Sequence, residues 1–447
     1  MLKSLANDDH LAHTLEQEDL TYRKVTRRLI PILFLAYVFS YLDRVNVGFA
    51  KLQMLSDLNL SEAVYGLGAG IFFAGYALFE IPSNILLHRF GARRWIARIM
   101  ITWGVLAGAM IFVKTPTSFY ILRLLLGVAE AGFQPGILLY LTYWYPEHRR
   151  GQIMALFFAA IPASSIIGGP LSGWIMSSFS GAHGLAGWQW MFIIEALPAI
   201  VIGIAILRIL PDNIRKAKWL SSQQSIYLES AVNVEAKKAH EFSLAGVFSN
   251  PMVFVMAAIY FCNVIGIYGI SFWLPTIIKA TGIVDLFDIG MLTAIPSLAA
   301  IVFMIIISRK ADKSGNRKQY LAAMIALGSV GLVGSVVFSS STTISLISLA
   351  IATIGMYSAL PLFWSLPTAY LSGVAAAAGI ALINSLANVS GFVGPYLIGW
   401  VEQTTGSTNI AIIVLAIACA LGVVLTLCIP SRIVNRATPS GVLDGAQ

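Results

Sequence analysis

The sequence predicts an all-α polytopic membrane protein, with twelve transmembrane helices in two pseudo-symmetric six-helix bundles. Three observations lead there. Of 447 residues, 57% are hydrophobic and only 11% are Asp, Glu, Lys or Arg, against about 25% charged in ordinary soluble chains. The apolar residues gather into runs near the ~20 residues that cross a bilayer. The punctuation of the first six runs recurs in the last six. A mean hydropathy of +0.79 excludes a soluble globular enzyme of this length. The same apolar and aromatic content excludes a disordered chain.

Span 1 (27–49) follows Arg23, Lys24, Arg27 and Arg28 and carries Asp43 and Arg44. Span 2 (62–87) contains Tyr76 and Glu80 and ends in the basic loop His88–Arg94. Span 3 (94–113) stops at Lys114, and span 4 (118–144) holds Arg123, Glu130 and Pro135. Span 5 (151–178) contains Gly168-Gly169-Pro170, and span 6 (188–210) contains Glu195. Residues 211–247 are the long hydrophilic stretch, too short for an enzymatic domain, with a small amphipathic helix expected around Trp219–Val234. Spans 7 to 12 follow at 252–279, 287–308, 318–338, 343–370, 374–400 and 408–430. The expected organisation is a tail (1–26), a bundle (27–210), a linker (211–247), a second bundle (248–430) and a tail (431–447).

Charge sets the orientation. The formal net charge is +8, and basic residues crowd the N-terminus, the linker and the loops after spans 2, 4 and 8. The opposite side has only Lys51, Lys114 and Lys279. Positive loops stay in the cytoplasm, so both termini are expected there. No basic stripe interleaved with aromatics suits nucleic acid. The first twenty residues are polar and acidic, unlike a signal peptide, so span 1 is expected to be retained. Cys262, Cys419 and Cys428 lie in apolar runs, which argues against disulfides and zinc. The six histidines fall in tails or loops, and no nucleophile, base and orienting group share an informative spacing, so no enzyme is expected.

The repeat is specific. Gly91-Ala92-Arg93-Arg94 and Gly315-Asn316-Arg317-Lys318 lie 224 residues apart, the latter following Asp312. Gly169-Pro170 and Gly394-Pro395 are 225 apart, and Pro135 and Pro361 are 226 apart. Two homologous halves with a substrate site between them are the pattern of a secondary transporter.

The basic loops around Gly91 and Gly315 resemble the signature loop of the major facilitator superfamily. Ser40-Tyr41-Leu42-Asp43-Arg44-Val45-Asn46, Ile81-Pro82-Ser83-Asn84, Glu130-Ala131-Gly132-Phe133-Gln134-Pro135-Gly136, Gly187-Trp188-Gln189-Trp190, Ser271-Phe272-Trp273-Leu274-Pro275 and Gly394-Pro395-Tyr396 resemble its anion:cation symporter family. The match covers nearly the whole chain. It is similar to bacterial permeases for 4-hydroxyphenylacetate, tartrate and phthalate, and more distantly to galactonate and vesicular glutamate or sialic-acid transporters. The resemblance implies a major facilitator fold, a monomer, a bacterial inner membrane and proton coupling. His88 stands where the family's first loop usually has an acid, while Asp312 is kept in the second. Gly91, Arg93, Asp312, Gly315 and Arg317 are accordingly expected to govern the conformational cycle.

An ionisable group near the bilayer centre costs on the order of 2.5–3.5 kcal/mol, so it faces a cavity or a partner. Arg123 and Glu130 are two helical turns apart on one face, in a stripe with Gly127 and Gln134. Arg44 shares a stripe with Tyr37 and Tyr41, a cation lined by phenols that suits an aromatic or hydroxylated carboxylate. Arg44 and Arg123 are expected to bind the anion, because a guanidinium offers a planar fork of donors. Asp43 and Glu130 are expected to carry the proton, and relatives tie these four positions to proton or anion handling. The structural alternative is that the four charges staple spans 1 and 4 together, with Arg123 snorkelling to the outer end. Glu80 and Glu195 are equally open to a structural role, bonded to a helix end or a backbone amide. Tyr41, Tyr76, Gln134, Asn384 and Asn388 are further substrate-binding candidates, with Tyr268, Trp364 and Ser365 weaker.

The leading expectation is a proton-coupled importer of a small organic anion, with no metal and no cofactor besides the coupling proton. A proton-coupled drug or cation antiporter is the alternative: the glycine-rich span 5 favours it, and two membrane arginines oppose it. A non-transporting sensor of organic anions comes third, since no signalling segment is visible.

Overall fold

The computed structural model describes residues 2–238, 249–280, 282–370 and 373–430. The helices are α1 (Leu2–Val45), α2 (Val47–Leu58), α3 (Glu62–Phe90), α4 (Ala92–Gly108), α5 (Pro116–Glu130), α6 (Phe133–Thr142), α7 (Glu147–Phe158), α8 (Ala160–Ser178) and α9 (Gly187–Ile209) in the first half. The linker carries α10 (Ser222–Lys238). The second half has α11 (Pro251–Ala280), α12 (Leu286–Ser314), α13 (Arg317–Val337), α14 (Thr342–Tyr370), α15 (Gly373–Thr405) and α16 (Asn409–Cys428). Among the described residues eleven helical stretches are long and apolar enough to cross a membrane. The remaining expected span lies in α15, which has 33 residues. The expected C-terminal tail (431–447) and the end of the linker lie outside the described residues.

Polarity is arranged for a lipid solvent. Leu78, Val330 and Ile417 are 71%, 66% and 63% exposed, while Arg44 and Glu130 are 3% and 1% exposed. Outward apolar side chains meet acyl chains, and charges turn inward to partners.

Several expected spans are differently cut. The first helix starts at Leu2 rather than near residue 27. No glycine or proline precedes Pro31, so nothing stops the charged segment from being helical. Arg149 of α7 holds that segment through Asp19 (2.6 Å) and Glu18 (3.3 Å). Span 1 then passes through Asn46 into α2 with only a one-residue irregularity. Span 4 is two helices. The break is at Ala131-Gly132, where Gly132 has φ +82° and a Cβ would meet Ser83 Oγ at 2.5 Å. Pro135 sits harmlessly in the first turn of α6, where its missing N–H has no helical partner to lose. Glu130 is therefore the last residue of its helix.

The halves meet along α3–α15 and α8–α12. A Cβ on Gly169 would lie 2.7 Å from the Gly290 carbonyl oxygen, so the two backbones touch directly. This glycine contact is at the end away from the linker, called here the far side. There Lys51, 2% exposed at its side chain, pairs with Glu62 (2.6 Å) and, across the halves, with Glu402 (3.4 Å). Trp273 Nε1 donates to the same Glu402 oxygen at 2.7 Å. The far side is thus closed by packed backbones and an ion-pair cluster around the buried Lys51.

Candidate functional site

Arg44 stands between the halves. Its Nη2 pairs with Glu130 Oε1 at 2.5 Å, and its Nη1 donates to the Tyr268 hydroxyl of α11 at 3.2 Å. Ser40, one turn earlier on α1, donates to the same Glu130 oxygen at 2.7 Å. The guanidinium carbon lies 5.1 Å from the Tyr76 ring centroid, 5.4 Å from Phe72, 5.8 Å from Phe73 and 5.9 Å from Tyr41. An aromatic cage of this kind holds a cation away from water without neutralising it. Arg44 Nε, 3% exposed with its residue, and the Tyr76 hydroxyl have no hydrogen-bond partner. Tyr37 donates to Gln134 Oε1 at 3.1 Å and stacks on Phe157 at 4.4 Å, closing the site toward α6 and α7.

One turn from Tyr76, Glu80 reaches across to α15. It accepts from Asn384 Nδ2 at 3.2 Å and from Ser385 Oγ at 3.0 Å. Asn388, on the same face as Asn384, has a buried amide nitrogen without a partner. Glu80 is therefore bonded to neither a helix end nor a backbone amide; it joins the two halves. Glu195 too is bonded to side chains, all within the first half: it accepts from Asn46 Nδ2 at 2.9 Å and Ser172 Oγ at 2.7 Å.

The four expected charges do not form one constellation. Asp43 turns away from Arg44 into the first half, where Trp103 Nε1 donates to its Oδ2 at 2.6 Å. Arg123 is wholly buried rather than snorkelling. It donates from Nε to Gly68 O (3.1 Å) and from Nη2 to Ala69 O (3.3 Å), and its guanidinium lies 4.9 Å from the Phe72 ring. It makes no ion pair with Glu130, and its remaining Nη1 is unpartnered. Of the fixed pairs considered from sequence, only Arg44–Glu130 forms.

The basic loops sit at the linker end. Gly91, at φ +87°, opens α4, and Arg93 reaches Asp212 at 3.3 Å. Asp212 lies just past α9 and also pairs with Lys216 at 3.2 Å. In the second half Gly315, at φ +70°, caps α12, and Arg317 opens α13. The Asp312 side chain lies outside the described residues. Beside α1, a cavity of about 50 Å³ runs between the halves. Its polar lining includes Asn46, Ser165, Ser172, Ser271, Thr293 and Tyr357. Asn46, Trp103, Ser40, Lys51 and Asp212 were not named from sequence as site residues. Asn46 had one signal, its i, i+3 spacing from Asp43.

The sequence profile of the Major Facilitator Superfamily matches residues 33–395 and 256–443. The chain is 44% identical to an Agrobacterium vitis protein provisionally named a tartrate transporter, over 96% of this chain and 94% of that one. It is 41% identical to the quinolone resistance transporter of Acinetobacter baumannii, over 93% and 96%. Its fold is similar to that of the xylose transporter XylE from E. coli in a partially occluded inward-open conformation, with a TM-score of 0.70, 13% identity and coverage of 90% and 99%.

Proposed function

The chain belongs to the Major Facilitator Superfamily and is a multi-pass membrane transporter; from that premise we propose that it imports a small organic anion together with protons. The observation that carries this is Arg44, a buried cation at the meeting of the two halves, caged by aromatic rings and retaining an unpartnered Nε. A carboxylate on an aromatic or hydroxylated frame complements it. The Tyr76 hydroxyl and the Asn388 amide nitrogen are unpartnered donors for the polar groups of such a substrate.

Coupling follows from sharing. Glu130 and the incoming carboxylate compete for one guanidinium. When substrate takes Arg44, Glu130 loses its cation, and a buried carboxylate without a cation takes up a proton. Substrate and proton then favour each other's binding, which is the thermodynamic requirement of symport. Glu130 and Asp43 are the proton carriers in this scheme. Arg44, Tyr41, Tyr76, Gln134, Asn384 and Asn388 line the substrate path, and Arg123 positions α3 beside it. The halves 27–210 and 248–430 rock about the site, with the loops at Gly91, Arg93, Asp312, Gly315 and Arg317 at their cytoplasmic hinge. Both termini face the cytoplasm, and the far side faces outward. The tartrate naming of one relative supports an anionic substrate.

A drug exporter is the second reading, favoured by the quinolone-resistance relative. Quinolones themselves carry a carboxylate on an aromatic bicycle, so Arg44 would serve either cargo. The test is the purified protein in liposomes with an internal pH dye and an external panel of 4-hydroxyphenylacetate, phthalate, tartrate, galactonate and glutamate. Internal acidification with one of them is expected. Acidification by none, with internal alkalinisation when an inward drug gradient is applied, would replace import with antiport.

A further inference from the structure

Glu195 is a buried carboxyl that the scheme above does not use. It and Asp43 are 1% and 3% exposed, and their hydrogen-bond partners are all uncharged. The Asn46 amide stands between them, its Nδ2 2.9 Å from Glu195 Oε2 and 3.5 Å from Asp43 Oδ1. Two adjacent anions in a low-dielectric interior with no cation cannot both stay ionised cheaply; a proton neutralises one of them.

The partners say which one. Asp43 Oδ2 receives Trp103 Nε1–H at 2.6 Å, a donor that has nothing to accept with and so suits an anion. Glu195 accepts from Asn46 Nδ2 on Oε2 and from the Ser172 hydroxyl on Oε1. A hydroxyl can also accept, so Ser172 satisfies a carboxylic O–H on Glu195 as well as a carboxylate. The remaining titratable groups around the pair are Arg44 and Glu130, already bonded to each other, and the Tyr357 phenol in the wall of the adjoining cavity. Asn46 and Ser172 both line that cavity, whose polar lining is mostly hydroxyl. At about 50 Å³ it admits water, which needs roughly 10–15 Å³.

We propose that Asp43 and Glu195 form a second proton-binding site, holding one proton between them with Glu195 as its usual bearer, and that protons reach it from water in the adjoining cavity. The step is a proton transfer alone: a cavity water's excess proton passes to a Glu195 carboxyl oxygen, and the pair's charge rises by one. The transport consequence rests on the symport reading; the proton site itself does not.

The test is infrared titration of the carboxylic-acid C=O signal in purified wild type, E195Q and E195D, beside the pH profile of gradient-driven uptake in liposomes. In wild type an acid signal is expected to persist at pH values where exposed carboxylates are ionised. E195Q should lose one carboxyl's worth of it, and E195D should retain it. The uptake profile should lose one titration step in E195Q, because two coupled groups titrate as a pair and only one of them remains. Gln keeps the hydrogen bonds to Ser172 and Asn46, and a thermal melt checks its fold. If E195Q is unstable, S172A in its place should shift the same signal by removing one partner. An acid signal and pH profile unchanged by E195Q, or by S172A in its place, overturn the proposal. Failure of wild type to acidify liposomes with any anion would end the symport reading while the infrared result still decides the site.

Discussion

Neutralising Glu402 should open the far side. Lys51 Nζ lies 3.4 Å from Glu402 Oε2 across the halves, and Glu402 is 18% exposed at its side chain. At an effective dielectric of about 20 the gross attraction is about 5 kcal/mol. Three corrections reduce it. The amide of E402Q still accepts from the ammonium and from Trp273, Glu62 remains beside Lys51 at 2.6 Å, and neutralisation relieves the repulsion between Glu62 and Glu402. The net loss is about 1.5 kcal/mol, the low end for a hydrogen bond to a charged group. That corresponds to a roughly tenfold shift away from the far-closed state. A reporter thiol at Ser271, which lines the inter-half cavity, reads this directly. Cys428 is the exposed native thiol and is first changed to Ser; Cys262 and Cys419 are buried. Labelling of S271C by an impermeant thiol reagent from outside should be about tenfold faster in E402Q. Equal rates, within a factor of about two, would mean that the glycine-packed helices close the far side without the ion pairs.

Five further outcomes follow from the same contacts. Arg44→Ala should weaken anion binding at least about 100-fold, near the upper range for hydrogen bonds to charge, read by calorimetry. Arg123→Ala should instead lower the melting temperature, since its donors serve backbone carbonyls of α3; equal loss of affinity in both would show Arg123 to be a ligand. Glu130→Gln should abolish accumulation driven by a pH gradient while substrate counterflow continues, and full accumulation would remove it as a proton carrier. Gly169→Ala places a methyl 2.7 Å from the Gly290 carbonyl oxygen and should cost about 1–3 kcal/mol of overpacking, seen as a lower melting temperature. Asp212→Asn breaks half-exposed pairs to Arg93 and Lys216; stability should change by less than about 1 kcal/mol while the transport rate falls.

The spans were legible because lipid imposes length and polarity on every crossing helix, a constraint that needs no knowledge of neighbours. Of the markers of the repeat, Gly91 and Gly315 both take positive φ, whereas Pro135 stands in the first turn of its helix and Pro361 lies inside one. Helix breaks were less legible. Pro135 is the conspicuous residue in span 4, yet the chain bends at Ala131-Gly132, because Gly132 alone adopts φ +82° against Ser83. Lys51 read as an orientation marker and is instead buried in an inter-half cluster. Its partner Glu402 lies 351 positions away, and no local pattern connects them.

The four membrane charges show what sequence spacing decides and what it leaves to packing. Asp43 and Arg44 are adjacent in sequence, so they project about 100° apart around the helix axis. Grouping them by proximity along the chain put them in one site; helical geometry sends Arg44 to α5 and α11 and Asp43 to α4. The same rule places Asn46, two residues beyond Arg44, nearer the Asp43 side. The carboxylate that completes that second cluster comes from α9, 149 positions away from Asn46. A charge's direction from its helix is thus readable in advance, but whether that direction ends on a cation, a carbonyl or another acid depends on which helix the fold brings there. Arg123 met carbonyls, Arg44 met Glu130, and Asp43 met a tryptophan, with a second carboxyl one amide away. The proposed roles of Arg123 as an anchor, Arg44 as the anion's partner and Asp43 with Glu195 as a proton-holding pair rest on these three different endings.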